Sequence, residues 1–210
     1  MLDDDLPHVA LKAAEAAATW RPHLSGPYAG LENLPFLAWL VGLQKPRQMI
    51  ALGIGEGVGY FALCQVTAET GLTADLFGID NWPDDRGLPR IPEEMQHYNA
   101  THYAGCSRLV CADPRSVVNI FDMEEIDLLF VDMDLDTDLI GMLVDSWAPL
   151  MQERGVIVLR GSLDPEILTA QPHLRLGEDG PIMLLVGEAV PVELAALAAL
   201  PADSPAWQAV

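Results

Sequence analysis

Positive charge is scarce in this sequence. Lysine and arginine number 11 against 31 aspartates and glutamates, and the formal net charge is −20. Only Lys12 and Lys45 are lysines. Nucleic acids and anionic membrane surfaces are bound through clusters of basic residues. We therefore expect neither as a partner. A small molecule is the expected ligand, and the composition leaves homo-oligomerisation open.

Long apolar runs and paired cysteines are also missing. No run approaches the ~20 residues of a membrane-spanning helix, and the acidic start, Met1 to Asp5, differs from the basic start of a signal peptide. The three cysteines, Cys64, Cys106 and Cys111, have no CxxC spacing. They predict reduced thiols instead of a disulfide framework or a zinc site. Together these features predict a cytoplasmic protein.

Two phosphate-binding motifs are absent. The Gly-Lys-Ser/Thr end of a P-loop occurs nowhere, and the dinucleotide fingerprint fails because Val58 stands where its third glycine is required. A nicotinamide oxidoreductase is therefore disfavoured. Glycines alternate instead at Gly53, Gly55, Gly57 and Gly59, directly after the apolar run Met49 to Leu52. This pattern suits a ligand with a small polar end and no pyrophosphate, although a purely structural turn is the alternative.

Apolar runs alternate with helical patterns over most of the 210 residues, half of which are hydrophobic. The pattern predicts one domain with a Rossmann-like, doubly wound α/β fold whose sheet is mostly parallel. Residues 1–45 would form N-terminal helices, 46–187 the core sheet and 188–210 a C-terminal helix and tail. The predicted strands, seven in all, are 49–52, 74–79, 108–111, 126–131, 156–159 and an antiparallel pair near 173–176 and 182–187. Helices are predicted at 5–20, 34–43, 58–70, 93–103, 139–151 and 191–200.

Three of the predicted strands end at an aspartate: Asp80, Asp113 and Asp132. Ligands of doubly wound sheets bind at the carboxyl ends of the strands, near the point where the strand order reverses. A single aspartate at such a position is most often a helix cap or a solvated turn residue. Three of them beside a glycine turn favour a ligand site at that edge.

Five short segments then carry a family resemblance. They are Lys45-Pro46, Leu52 to Gly57, Phe77 to Trp82, Ile126 to Asp132 and Asp145 to Pro149. In this order the chain resembles the class I methyltransferases that depend on S-adenosylmethionine. The nearest subgroup is similar to macrocin O-methyltransferases and cephalosporin-hydroxylase-like proteins.

The resemblance implies S-adenosylmethionine as cofactor and a set of residues around it. Gly53, Gly55 and Gly57 would admit its methionine part and ribose, and Asp80 would accept hydrogen bonds from the ribose hydroxyls. Ile79, Asn81 and Trp82 would lie near the adenine, with Ala112 and Asp113 beside its amino group. The residues implied at the cofactor are Gly53, Gly55, Glu56, Gly57, Asp80, Asn81, Trp82, Ala112, Asp113 and Asp132.

The chain also departs from the family. Ala51 replaces an acidic residue that normally helps to hold the turn, and Glu56 is the candidate to compensate. The histidine of the subgroup's metal-site motif is Leu135, and its His-Asp pair is Arg160-Gly161. Oxygen ligands alone do hold hard cations, and the acidic residues available are Asp132, Asp134, Asp136 and Asp138. A divalent metal is the less favoured reading; a solvated loop that caps a helix is the alternative.

Methyl transfer to a small hydroxylated or sugar-like substrate is the favoured function. Asp132 and Asp134 are the candidate catalytic bases, followed by His97 and His102. Ser162 has no G-x-S-x-G context, so a hydrolase is not supported. The alternative is a catalytically inactive methyltransferase-like module for binding or assembly, for example beside a glycosyltransferase. This alternative is motivated by the absence of the family's functional residues at four positions, which are Ala51, Leu135, Arg160 and Gly161.

Overall fold

The computed structural model describes residues 19–26, 34–84, 86–122, 125–160, 173–175, 181–186, 189 and 191–198. Most of the predicted helix at 5–20, Gly161, Ser162, the turn at 177–180 and the tail from 201 lie outside them. The elements are α1 (Leu34–Gln44), β1 (Gln48–Leu52), α2 (Val58–Thr70), β2 (Asp75–Asp80), α3 (Glu93–His102), β3 (Ser107–Cys111), β4 (Ile126–Val131), α4 (Thr137–Met142), β5 (Met151–Leu159), β6 (His173–Arg175), β7 (Ile182–Leu185) and α5 (Val192–Ala198).

The described strands form one sheet in the order β3-β2-β1-β4-β5-β7-β6. Strands β1 to β5 are parallel, whereas β7 is antiparallel to both β5 and β6. From β1 the chain adds β2 and then β3 on one side of β1, and it then crosses to place β4 on the other side. The strand order therefore reverses beside β1. The predicted Rossmann-like, mostly parallel sheet with an antiparallel C-terminal pair is confirmed.

The register brings the strand ends together at one edge. Leu52 of β1 is level with Ile79 of β2 and Val131 of β4. Val131 is in turn level with Leu159 of β5. The next residue along each of these four chain segments therefore lies beside the others, and these residues are Gly53, Asp80, Asp132 and Arg160.

Two hydrophobic layers cover the sheet because alternate strand residues point to opposite faces. In β1, Met49 and Ala51 pack into the layer that contains α1, α2 and α3, whereas Ile50 and Leu52 pack into the layer that contains α4. Every residue of β4 is buried. This is the pattern of a central parallel strand with both faces covered.

A buried carboxylate fixes the start of β1. The Asp127 side chain accepts hydrogen bonds from the backbone N–H groups of Arg47 and Gln48, at 2.7 and 3.1 Å. The Gln44 amide at the end of α1 donates to the carbonyls of Asp127 and Arg154. The strand that leads into the glycine turn is thus anchored at its other end by α1, β4 and β5.

We expect Asp127→Ala to lower the free energy of unfolding by about 1.5–3 kcal/mol, because two backbone donors next to the core lose a charged acceptor. Urea denaturation followed by circular dichroism measures the change. Asp122→Ala, an acidic residue outside this network, is the control. An Asp127→Ala protein as stable as this control would contradict the anchoring role.

The segment after α4 differs from the predicted helix at 139–151. The α-helix ends at Met142 and continues as a π turn, Leu143–Trp147, and a 3-10 turn, Ala148–Leu150. Proline at 149 cannot supply a helical N–H, and the wider π turn accompanies the complete burial of Trp147. Strand β5 begins at Met151, earlier than predicted, and its pairing with β4 shifts register between Ile126 and Leu128.

Candidate functional site

The glycine turn after β1 uses backbone conformations that favour glycine. Gly53, Gly55 and Gly57 have φ values of 70°, 52° and 87°. A Cβ on Gly53 would lie 2.6 Å from the Cβ of Met133, and one on Gly57 would lie 2.8 Å from the Phe61 ring. A Cβ on Gly55 would meet only open space. Gly53 and Gly57 are therefore required by packing, while Gly55 leaves backbone exposed to a ligand.

Asp80, at the end of β2, and Trp82, just after it, hold the backbone on both sides of Gly55. The Asp80 carboxylate accepts the Gly55 N–H at 2.8 Å. The Trp82 indole N–H donates to the Gly55 carbonyl at 2.8 Å. The second oxygen of Asp80 accepts the Asn81 N–H at 2.7 Å. Trp82 is buried with a φ of 33°, a conformation that a bulky residue rarely adopts. The predicted cofactor residues of the turn and of the second strand thus form one connected unit.

The end of β3 adjoins this unit through the backbone. The Ala112 N–H donates to the Asp80 carbonyl at 3.0 Å. Asp113 is exposed, and its side chain accepts the Arg115 N–H at 3.0 Å, so it caps the turn that follows. Asn81 is also exposed. The structure therefore places Asn81, Ala112 and Asp113 beside Asp80 at the sheet edge.

A cleft of about 1090 Å³ opens beside the turn. Of the predicted cofactor residues, Gly55, Glu56 and Trp82 line it. The rest of its wall comes from the residue 24 region, the loop after β2, the start of α2 and the first turns of α3: Leu24, Phe61, Pro83, Asp84, Arg90, Pro92, Glu93, Glu94, Met95 and Tyr98. Aromatic and apolar surface beside a few charged groups is typical of a small-molecule site.

Asp132 lies at the same edge but in different surroundings. Its side chain is only 3% exposed and forms an ion pair with Arg160, whose Nε donates to Oδ1. The backbone is fixed as well, since the Asp132 N–H donates to Leu52 and the Arg160 N–H to Val131. One oxygen of this carboxylate is therefore occupied by the guanidinium. Asp134, the other predicted base, is exposed.

The acidic loop that follows caps α4. Asp136 accepts a hydrogen bond from the Leu139 N–H at 2.7 Å and forms a bidentate ion pair with the Arg115 guanidinium. The Arg115 contact, and after it the Leu139 N–H, hold the pKa of Asp136 below its ordinary value. Among the described residues, no group of three or more His, Cys, Asp or Glu side chains is arranged to hold a metal ion.

The lowered pKa of Asp136 predicts a pH effect. Because the folded pKa lies below the unfolded one, the stabilisation is complete above the ordinary carboxyl pKa and is lost as the pH falls through the lowered value. We expect Arg115→Ala to raise the pKa of Asp136 toward the ordinary carboxyl value, so that the stabilisation becomes smaller and its loss is complete at a higher pH. NMR titration of the Asp136 carboxyl carbon measures this. Arg108→Ala is the control, and an unchanged Asp136 titration in Arg115→Ala would contradict the prediction.

The remaining sequence candidates lie away from these contacts. His97 and His102 are exposed on α3, and neither lines the cleft. Ala51 is buried in the core layer of α1 and α2, so its position offers no polar group to the turn. Sequence reasoning missed the Asp132–Arg160 pair. The opposite charges that follow two neighbouring strands are the signal that would have revealed it.

Comparisons with known proteins agree with this architecture. A family model described as a methyltransferase domain matches residues 50–160, just over half of the chain. The chain belongs to this methyltransferase family. A curated relative, the uncharacterised protein y4gI of Sinorhizobium fredii, is 30% identical over 147 residues. That match covers 66% of this chain but only 16% of the relative, so the chain spans about a sixth of that protein's length.

Solved structures show the same fold. The SAH-bound methyltransferase PaMTH1 of Podospora anserina superposes with a TM-score of 0.55 at 15% identity, over 83% of this chain and 86% of that one. A Corynebacterium glutamicum protein has a TM-score of 0.50 at 18% identity, over 84% and 89%. The predicted class I methyltransferase superfamily is confirmed, while the predicted subgroup stays a prediction. No helix in the described part of the chain is long and apolar enough to cross a membrane.

Proposed function

We propose that this protein transfers a methyl group from S-adenosylmethionine to a small hydroxylated or sugar-like acceptor. The observation that carries the proposal is the hydrogen bond between Asp80 and the Gly55 N–H, at 2.8 Å. It joins the acid at the end of β2 to the turn after β1, at the sheet edge beside the reversal of strand order. That edge is where doubly wound sheets bind their ligands.

The residues at this edge suit the cofactor. The exposed Gly55 backbone offers room beside the turn, and Asp80 offers carboxylate oxygens to ribose hydroxyls. Trp82 keeps the loop after β2 against the turn, and its ring would supply apolar surface for the adenine. Glu56 is exposed on the cleft wall, where it would replace the charge missing at Ala51 for the ammonium group of the methionine part.

When bound, the cofactor would supply an electrophilic methyl group on its sulfonium, with S-adenosylhomocysteine as the leaving group. The chain mainly positions the methyl donor and the acceptor, and such positioning lowers an activation barrier by roughly 7–11 kcal/mol. Loss of the acceptor proton needs a base. Of the two predicted bases, Asp134 is exposed, whereas Asp132 is held by Arg160. Asp134 is therefore the first choice for this role.

A second candidate function is the inactive module for binding or assembly, such as a partner of a glycosyltransferase. The Asp132–Arg160 pair favours it, because that contact occupies one of the two predicted bases. The buried Ala51 favours it too, since the turn lacks the carboxylate of the family pattern. On this reading the fold and the cofactor edge persist without turnover.

Isothermal titration calorimetry with S-adenosylmethionine and S-adenosylhomocysteine tests the proposal. We expect one binding site per chain for each compound, and no heat at high protein concentration would refute it. Transfer of a labelled methyl group to a panel of hydroxylated and sugar acceptors then separates the two candidates. Binding without turnover on the whole panel supports the inactive module, whereas methylation by the purified chain rules that module out.

A further inference from the structure

The Asp132–Arg160 pair lies where two neighbouring strands end. Residues 131 and 159 are level in the register of β4 and β5, so residues 132 and 160 leave the sheet side by side. The Asp132 side chain is almost fully buried, while one third of the Arg160 side chain remains exposed. The pair therefore has a covered carboxylate beneath a partly exposed guanidinium, next to the Gly53 end of β1.

This arrangement does not fit a divalent cation. The resemblance implies a metal site that includes Asp132, a histidine at 135 and ligands after β5, but the chain has Leu135 and Arg160. A guanidinium has only donors and cannot ligate a metal. Here it binds the very carboxylate that a cation would use. Asp136, further along the same loop, is engaged by Arg115 and the start of α4.

We propose that Arg160 replaces a divalent cation at this edge. Its fixed positive charge neutralises the buried Asp132 carboxylate, orients it and keeps metal ions away from it. Arg160 is then a positioning residue, and cofactor binding and activity do not depend on divalent cations. The role in catalysis rests on the proposed methyltransferase function, but the exclusion of cations is a property of the protein alone.

Binding of Mn²⁺, followed by the paramagnetic resonance signal of the free ion, tests this inference on the metal-free protein. Arg160→Gln removes the charge and supplies an amide oxygen, which hard cations accept. Arg160→Lys keeps the charge. We expect the wild type and Arg160→Lys to bind no Mn²⁺ stoichiometrically up to about 1 mM, the weak end of protein cation sites. We expect the Arg160→Gln protein to bind one Mn²⁺ ion. The double variant Arg160→Gln/Asp132→Asn should bind none.

Two results would overturn the inference. One is a wild type that binds a single Mn²⁺ ion, together with loss of that binding in Asp132→Asn. The other is an Arg160→Gln protein, folded by circular dichroism, that gains no site. A wild-type affinity for S-adenosylhomocysteine that is the same in EDTA and in Mg²⁺ supports it from a second direction. Failure of the chain to bind S-adenosylhomocysteine at all would refute the proposed function and leave the Mn²⁺ result unaffected.

Discussion

Asp80→Asn is expected to weaken binding of S-adenosylmethionine and S-adenosylhomocysteine by about 10- to 100-fold. A hydrogen bond to a charged group contributes about 1.5–3 kcal/mol, and each 1.4 kcal/mol is a factor of ten in affinity. The substitution removes the charged carboxylate that accepts a hydrogen bond from the Gly55 N–H. The same carboxylate would accept hydrogen bonds from the ribose hydroxyls. Calorimetry with both compounds measures the loss.

Asp75→Asn is the matched control because Asp75 begins the strand that Asp80 ends. Its side chain is 56% exposed and pairs with Arg108, a contact of little energetic value at the surface. We expect its affinity for both compounds to equal that of the wild type. Equal losses in the two variants would point to a general effect of charge, and an unchanged affinity in Asp80→Asn would remove Asp80 from the site.

The sheet edge could be predicted from the sequence because parallel strands have a simple geometry. Apolar runs locate the strands, and the first polar residue after each run marks its carboxyl end. Asp80 and Asp132 were predicted on this basis, and the register places both beside the glycine turn. The antiparallel pair near the C-terminus was predicted from two short apolar runs and is confirmed.

The contacts at that edge could not be predicted in the same way. Which carboxylate holds the Gly55 N–H and which is covered by Arg160 depends on side-chain direction and on the order of strands in space. The resemblance implies Trp82 near the adenine, but it gives no sign that the indole N–H donates to the turn itself. The cleft brings together residues from position 24 to position 98, a combination that no local pattern marks.

Arg160→Ala is expected to lower the free energy of unfolding by about 3 kcal/mol. Removing one partner of a buried ion pair costs about 3–5 kcal/mol because it leaves an uncompensated charge, and the partial exposure of Arg160 argues for the lower end. Chemical denaturation at neutral pH measures the change. Arg108→Ala is the matched control, since it breaks an Arg–Asp pair in which both side chains are more than half exposed. It should cost no more than about 1 kcal/mol.

A double-mutant cycle separates the pair from other effects of the substitution. If the loss of stability in Arg160→Ala arises from the unpaired Asp132 carboxylate, adding Asp132→Asn should recover much of it. The effects of the two substitutions on the free energy of unfolding will then be strongly non-additive. Additive changes, or an Arg160→Ala protein as stable as Arg108→Ala, would mean that Asp132 does not depend on Arg160. Asp132 would then return as the leading candidate base, and the argument for an inactive module would lose its main support. The stability of one variant therefore bears directly on whether this methyltransferase fold is an active enzyme.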